Sequence, residues 1–167
     1  MRALGNLRLN STVGVAIVIG AVIVAPLGLS SIAGAKTTSC ENVTIAQVSA
    51  AAGVKATAVS SISRGKTTLC SYTVGSDTSA VSIEVVTSST LASFKAGMKL
   101  AKTVGQAPKT DTKLAPYPAY STALTSAAYH YTTYSVIALK GSKIIFAVAN
   151  YPLAKVEAIE KVALSKN

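Results

Sequence analysis

The sequence predicts an α+β fold, in which an antiparallel sheet of about six strands carries helices on one face. Segments of alternating, β-branched residues are joined by short turns, which favours antiparallel pairing. Three stretches with apolar residues at helical spacing interrupt these segments. The chain of 167 residues contains two cysteines, enough for one disulfide. The predicted order of elements is α-βββ-α-βββ-α.

The first 35 residues have the anatomy of a secretory signal peptide. Arg2 and Arg8 give a positive start, an apolar stretch follows, and the small residues AGA at 33–35 suit cleavage. An uncleaved membrane anchor is the alternative, because about 20 apolar residues can span a bilayer. Either interpretation exports residues 36–167. We expect these residues to form a single extracytoplasmic domain, either secreted or tethered at the cell surface.

The two cysteines, Cys40 and Cys70, are predicted to form a structural disulfide in that oxidising compartment. A redox role is disfavoured because the chain has no Cys-x-x-Cys motif, and two lone cysteines are too few for a zinc site. Closing the loop between them stabilises the fold by roughly 3–4 kcal/mol. The bond would pin the first helix to the sheet.

The first half of the domain is predicted to contain one helix and three strands. Thr44 and Gln47 form a capping box at the helix start, and Gly53 is a typical residue just beyond a helix end. The predicted strands are VKATAVSSI, TTLCSYTV and AVSIEVVT, with turns at residues 63–66 and 75–77. This half therefore predicts a helix followed by a three-stranded meander.

The second half repeats this order without residue-level identity. A helix is predicted over residues 88–104, closed by Gly105, and a proline-rich loop follows it. The segments AYSTALT, HYTTYSVIALK and KIIFAVAN are predicted strands. Pro152 is well placed to open a final helix. The inner stripe of that helix is predicted to comprise Leu153, Val156, Ile159 and Ala163.

Two short motifs carry a resemblance to a known family. The sequence CENVT at 40–44, with its helix to Gly53, and the sequence LCSY at 69–72 resemble those of small actinobacterial secreted proteins and lipoproteins of unknown function. They are also similar to related extracellular sensor-type domains. The chain differs in its high lysine content and in having no lipobox before Cys40. The resemblance implies a fold and an extracellular location, and it implies no activity.

Candidates for catalysis are few. The chain has one histidine, His130, and no motif places an orienting acid beside it. The Ser-x-x-Lys match at residues 63–66 lacks the companion motifs of penicillin-recognising enzymes. Glu157 and Glu160, at i, i+3 spacing beside lysines, are interpreted as a solvated helix face. We therefore predict a protein that is not an enzyme and needs neither a cofactor nor a metal.

Tyrosines in the second half form the first candidate surface. Tyrosine is enriched at interfaces, although strand propensity and cross-strand packing explain the same clustering. The candidate ligand residues are Tyr117, Tyr120, Tyr129, Tyr131 and Tyr134.

Lysines form the second candidate surface, since the net charge is +10. A basic stretch would attract anionic material at long range, although a soluble, self-repelling surface is the alternative. The candidate contacts are Lys95, Lys99, Lys102, Lys109 and Lys113.

These observations predict a non-catalytic binding or sensor-like domain at the bacterial cell envelope. Its expected partners are anionic cell-wall polymers or lipid head groups. A secreted protein-interaction or inhibitor module, docking onto an envelope protein, is the alternative. Nucleic acid is not an expected partner, because the chain is exported and carries no recognition motif.

Overall fold

The computed structural model describes residues 39–74, 80–126 and 130–167. The leader predicted at residues 1–35, the turn predicted at 75–77 and Tyr129 lie outside the described residues. Within the described ranges, seven strands form one antiparallel sheet in the order β3-β4-β5-β9-β8-β7-β6, and β1 pairs with β2 in a small hairpin. The sheet joins two meanders through the antiparallel pair β5 and β9.

The elements have the following bounds. The helices are α1 (Ile45–Ala52), α2 (Leu91–Thr103) and α3 (Leu153–Lys166). The strands are β1 (Ser39–Cys40), β2 (Val43–Thr44), β3 (Ala56–Arg64), β4 (Thr67–Val74), β5 (Ala80–Val86), β6 (Lys109–Thr110), β7 (Ala119–Ser126), β8 (Tyr131–Lys140) and β9 (Lys143–Ala149). A single 3-10 turn covers Thr112–Leu114.

The α+β class, the antiparallel sheet and the disulfide are confirmed, and two details of the prediction are corrected. The sheet has seven strands because the predicted proline-rich loop contributes β6. The helices do not share one face. Val136 and Ala138 of β8 pack into the core cluster with α1 and α3, whereas Ile137 and Leu139 pack with Phe94 of α2. Since side chains alternate along a strand, α2 covers the opposite face.

The larger core lies between the sheet and the pair of helices α1 and α3. The capping box predicted for α1 is present, with Gln47 N donating to Thr44 Oγ1 at 3.2 Å and Thr44 N donating to Gln47 Oε1 at 2.9 Å. Gly53 ends the helix with φ 68°. From α3, Val156 and Ile159 are fully buried in this core.

The β1–β2 hairpin is fastened to the sheet by a covalent bond and by a tyrosine. Cys40 of β1 is bonded to Cys70 of β4, with a Cα–Cα distance of 5.8 Å. The Tyr72 hydroxyl donates to the carbonyl oxygens of Val43 at 2.9 Å and of Cys40 at 3.3 Å. Burial raises the pKa of Tyr72 to about 12. This corner therefore anchors the start of α1 on β4, as predicted for the disulfide.

Candidate functional site

Helix α2 packs on the second face of the sheet through few buried residues. Its start is capped by Thr90, whose Oγ1 accepts from Ser93 N at 3.1 Å. Phe94, Gly97 and Ala101 are its buried residues. The Phe94 ring meets the Tyr120 ring with centroids 5.2 Å apart, in a tilted arrangement. The cluster beneath the helix comprises Phe94, Tyr120, Ile137, Leu139, Ile144 and Phe146.

Three of the predicted lysine contacts lie together on α2. Lys95, Lys99 and Lys102 are exposed and, at 100° per residue, fall within about 60° of each other around the helix axis. We call this set the lysine flank. In the described part of the chain no salt bridge involves any of the three. The flank therefore presents uncompensated positive charge to solvent.

The other two predicted lysines lie apart from this flank. Lys109 is exposed on β6, at the sheet edge. Lys113 reaches across to α3, where its Nζ donates to the two carboxylate oxygens of Glu157 at 2.8 and 3.0 Å. That hydrogen bond raises the pKa of Lys113. The five predicted lysines therefore do not form one surface. Lys113 is paired with Glu157 and does not extend the lysine flank.

Helix α2 also exposes apolar side chains. Leu100 and Val104 are 42% and 56% exposed and fall on the flank opposite the lysines. Leu91, at the start of the helix, is 47% exposed. Ala92, Ala96 and Thr103 form an exposed strip of small residues between the two flanks. Apart from Leu91, which lies on the lysine side four residues before Lys95, the outward side of the helix is therefore basic on one flank and apolar on the other, with small residues between them.

The predicted tyrosine surface is not a single surface. Tyr120 is 2% exposed beneath α2, and burial raises its pKa to about 12. Tyr117 and Tyr134 pack against the core on the α1–α3 side. Tyr131 is 38% exposed, and its position in β8 places it on the α2 side. The structure therefore corrects the grouping, because these residues are split between the two faces of the sheet.

His130 lies in the turn before β8 rather than within the strand. Its φ of 54° is in the left-handed region, and its side chain is exposed. Of the turn predicted at residues 63–66, only Gly65 and Lys66 form it, with Gly65 at φ 58°, because Ser63 and Arg64 still pair with β4 as part of β3. Among the described residues no group of three or more His, Cys, Asp or Glu side chains could hold a metal ion.

The interpretation of Glu157 and Glu160 as a solvated face is wrong. They are 5% and 0% exposed, beneath α3. Neither carboxyl oxygen of Glu160 has a hydrogen-bond partner in the described part of the chain. Burial and the nearby Asp111 raise the pKa of Glu160 well above its ordinary value. The helical spacing contained the signal, because Glu160 is four residues from Val156 and three from Ala163, both on the inner stripe.

Asp111 belongs to the segment that links α2 to β7. Its Oδ1 accepts from Lys113 N at 3.0 Å, which caps the 3-10 turn, while its Oδ2 is buried without a partner among the residues described. Leu114 of this turn is buried in the α1–α3 core. The segment therefore includes the edge strand β6 and ends on the face of the sheet opposite α2.

Comparison of the chain with protein-family models, curated proteins and solved structures finds no match. The resemblance to small secreted actinobacterial proteins therefore stays a prediction. No helix in the described ranges is long and apolar enough to cross a membrane.

Proposed function

We propose that this chain is a non-catalytic extracytoplasmic binding or sensor-like domain that docks onto anionic envelope material through α2. The observation that carries the proposal is the lysine flank, three exposed lysines on one side of a helix that the sheet holds apart from α1 and α3. No carboxylate neutralises them within the described ranges. Wall polymers and lipid head groups carry the phosphate or carboxylate charges that such a flank attracts.

The composition supports this choice. The net charge of +10 raises the local concentration of anionic partners around the molecule. At physiological ionic strength, salt largely screens this attraction at distances beyond about 8 Å. The predicted leader and the Cys40–Cys70 bond favour an oxidising compartment, where envelope polymers are available.

The exposed apolar residues of α2, Leu100 and Val104, provide a way to distinguish anionic lipid from anionic cell-wall polymer as the partner. A helix that lies on a membrane buries apolar side chains in the head-group region, and its lysines contact anionic lipids. Leu100 and Val104 would contribute to binding on lipid, whereas a hydrated polymer offers them no apolar environment. Their contribution therefore distinguishes lipid from wall polymer.

The test is co-sedimentation of residues 36–167 with purified cell wall and with vesicles containing anionic lipid, from low to high salt. The triple variant Lys95→Gln/Lys99→Gln/Lys102→Gln should lose about 3 kcal/mol of binding, at about 1 kcal/mol per lysine. This corresponds to on the order of a hundredfold in affinity. Loss on vesicles after Leu100→Ser/Val104→Ser, with wall binding unchanged, would identify lipid as the partner.

The matched control is Lys55→Gln/Lys66→Gln/Lys166→Gln, which removes the same charge from exposed positions outside α2. It should weaken binding only slightly, because general attraction is reduced while the flank is intact. Equal weakening by both triple variants would show that net charge alone drives binding. Absence of binding at low salt would overturn the proposal.

A secreted protein-interaction or inhibitor module is the second candidate function. The long exposed edge strand β3 favours it, because an open sheet edge can accept a strand from another protein. A stable complex with an envelope protein, recovered from culture supernatant and unaffected by the lysine-flank variant, would support this alternative.

A further inference from the structure

The two edges of the large sheet differ in length. β6 ends one edge with two residues, Lys109–Thr110, and β3 forms the other with nine, Ala56–Arg64. β3 pairs with β4 on its inner side, and within the described residues no strand pairs along its outer side. An edge strand presents a row of backbone N–H and C=O groups that can pair with another chain.

The C-terminal half of β3 lacks the features that usually protect an edge strand from pairing with another chain. Every residue from Ser60 to Arg64 is exposed, and Ile62 is 49% exposed. Residues 60–63 contain neither a charged side chain nor a proline, and the register shift in the β3–β4 pair lies at the other end, between Ala56 and Ala58. Short edges, charges, prolines and bulges are the common protections against edge pairing.

Ile62 has one apolar neighbour across the β3–β4 pair. It stands opposite Leu69 of β4, and Leu69 is half-buried. Directly opposed side chains on neighbouring antiparallel strands pack against each other. A strand added outside β3 would therefore bury Ile62 between Leu69 and a new neighbour.

We propose that the new neighbour is β3 of a second copy of this chain, paired antiparallel about a two-fold axis at Ile62. This register places the two Ile62 side chains opposite each other, Ser61 opposite Ser63, and Ser60 opposite Arg64. The two Arg64 side chains then lie at opposite ends of the pairing. The segment is self-complementary, as a two-fold interface requires, with an apolar centre and no opposed like charges.

Self-pairing and docking on anionic material respond oppositely to salt. Two copies with a net charge of +10 repel each other, so screening should strengthen the dimer and weaken attachment to an anionic surface. The two features are also separate in the fold, since β4 and β5 lie between β3 and the strands beneath α2. The pairing is confined to a short segment of β3, which predicts a weak dimer.

The first test is sedimentation of the purified full chain in mild detergent at increasing concentration, at low and high salt. Ile62→Lys should weaken dimerisation at least about tenfold, because an apolar contact is lost and two like charges meet. Leu124→Lys is the matched control, since Leu124 is 41% exposed on β7 near the other edge. It should leave the dimer unchanged.

The second test fixes the register and does not require the lysine variant to fold. Ile62→Cys places two thiols face to face at the axis, whereas Ser60→Cys places each thiol opposite Arg64. The native cysteines are bonded and buried, and so do not compete. Mild oxidation should cross-link Ile62→Cys to a covalent dimer many times faster than Ser60→Cys.

A monomer at every concentration and salt would overturn the proposal, as would equal cross-linking of the two cysteine variants. So would an equal effect of Ile62→Lys and Leu124→Lys. None of these outcomes bears on the lysine flank, because the substitutions leave α2 unchanged. Failure of envelope binding would likewise leave the β3 dimer standing.

Discussion

The two faces of the sheet differ in how they are covered. On one face, α1 and α3 pack against the sheet, and a large apolar core includes residues of all six long strands. On the other, α2 is held by a small cluster around Phe94, and its outward side carries lysines and exposed apolar residues. The difference indicates that most of the stabilising burial lies on one face, and the other carries the surface that we propose for binding.

The largest expected loss of stability comes from a substitution in the core beneath α1 and α3. Ile159 is fully buried there, so Ile159→Ala should lower the free energy of unfolding by about 4 kcal/mol through lost burial and a cavity. Urea denaturation followed by circular dichroism measures this change. Lys161→Ala, exposed on the same helix, should change stability by less than about 0.5 kcal/mol. A loss under about 1 kcal/mol for Ile159→Ala would contradict this view of the core.

The next effect tests the weaker attachment of α2. Phe94→Ala removes a larger side chain than Ile159→Ala, yet it should lower the free energy of unfolding by only about 2 kcal/mol, because α2 can detach without unfolding the sheet. Hydrogen exchange should accelerate in residues 91–103, while α1 and α3 stay protected. Exposed Leu100→Ala provides the control. Equal acceleration in α3 would show that the two faces unfold as one unit.

The smallest effect concerns the acid beneath α3. Burial and Asp111 raise the pKa of Glu160 above its ordinary value of 4.5, so the folded state binds a proton more tightly than the unfolded chain. Stability from this group is present below that ordinary pKa and is lost as pH rises. Burial raises the pKa of Glu84 as well, which gives the same sign. We expect urea midpoints to fall from pH 4.5 to pH 8.

Glu160→Gln sharpens this test because it imitates the protonated acid. It should flatten the decline in stability above pH 5 and raise stability at pH 8 relative to the native chain. The matched substitution Glu157→Gln should instead lower stability slightly, since Lys113 loses its partner. An unchanged pH dependence in Glu160→Gln would exclude Glu160 as its source.

Local sequence signals were sufficient for most of the fold. The Thr44–Gln47 capping box, Gly53 and the alternation in TTLCSYTV each depend on neighbouring residues, and the structure has the corresponding elements. The cysteine pairing needed only the count of cysteines and the predicted compartment. The lysine flank followed from helical spacing within α2.

Long-range packing decided the rest. The periodicity of α2 predicts an inner stripe, but it does not predict which face of the sheet that stripe contacts. Because α2 packs on the face opposite α1 and α3, Tyr120 lies beneath α2, whereas Tyr117 and Tyr134 lie on the other face. Lys113 pairs with Glu157 and so does not belong to the lysine flank. Local sequence patterns could not predict this pair, because the two residues are 44 positions apart in the chain.

The sequence by itself determined the three helices, the six long strands and the single disulfide, because caps, turns and alternation act between residues close in the chain. The tertiary structure alone decided which side chains are covered. Glu160 shows the reason: its neighbours in sequence include lysines, yet α3 turns it inward with Val156 and Ile159, and burial rather than composition sets its charge. The open edge at β3 has the same origin, since only the order of strands leaves it unpaired.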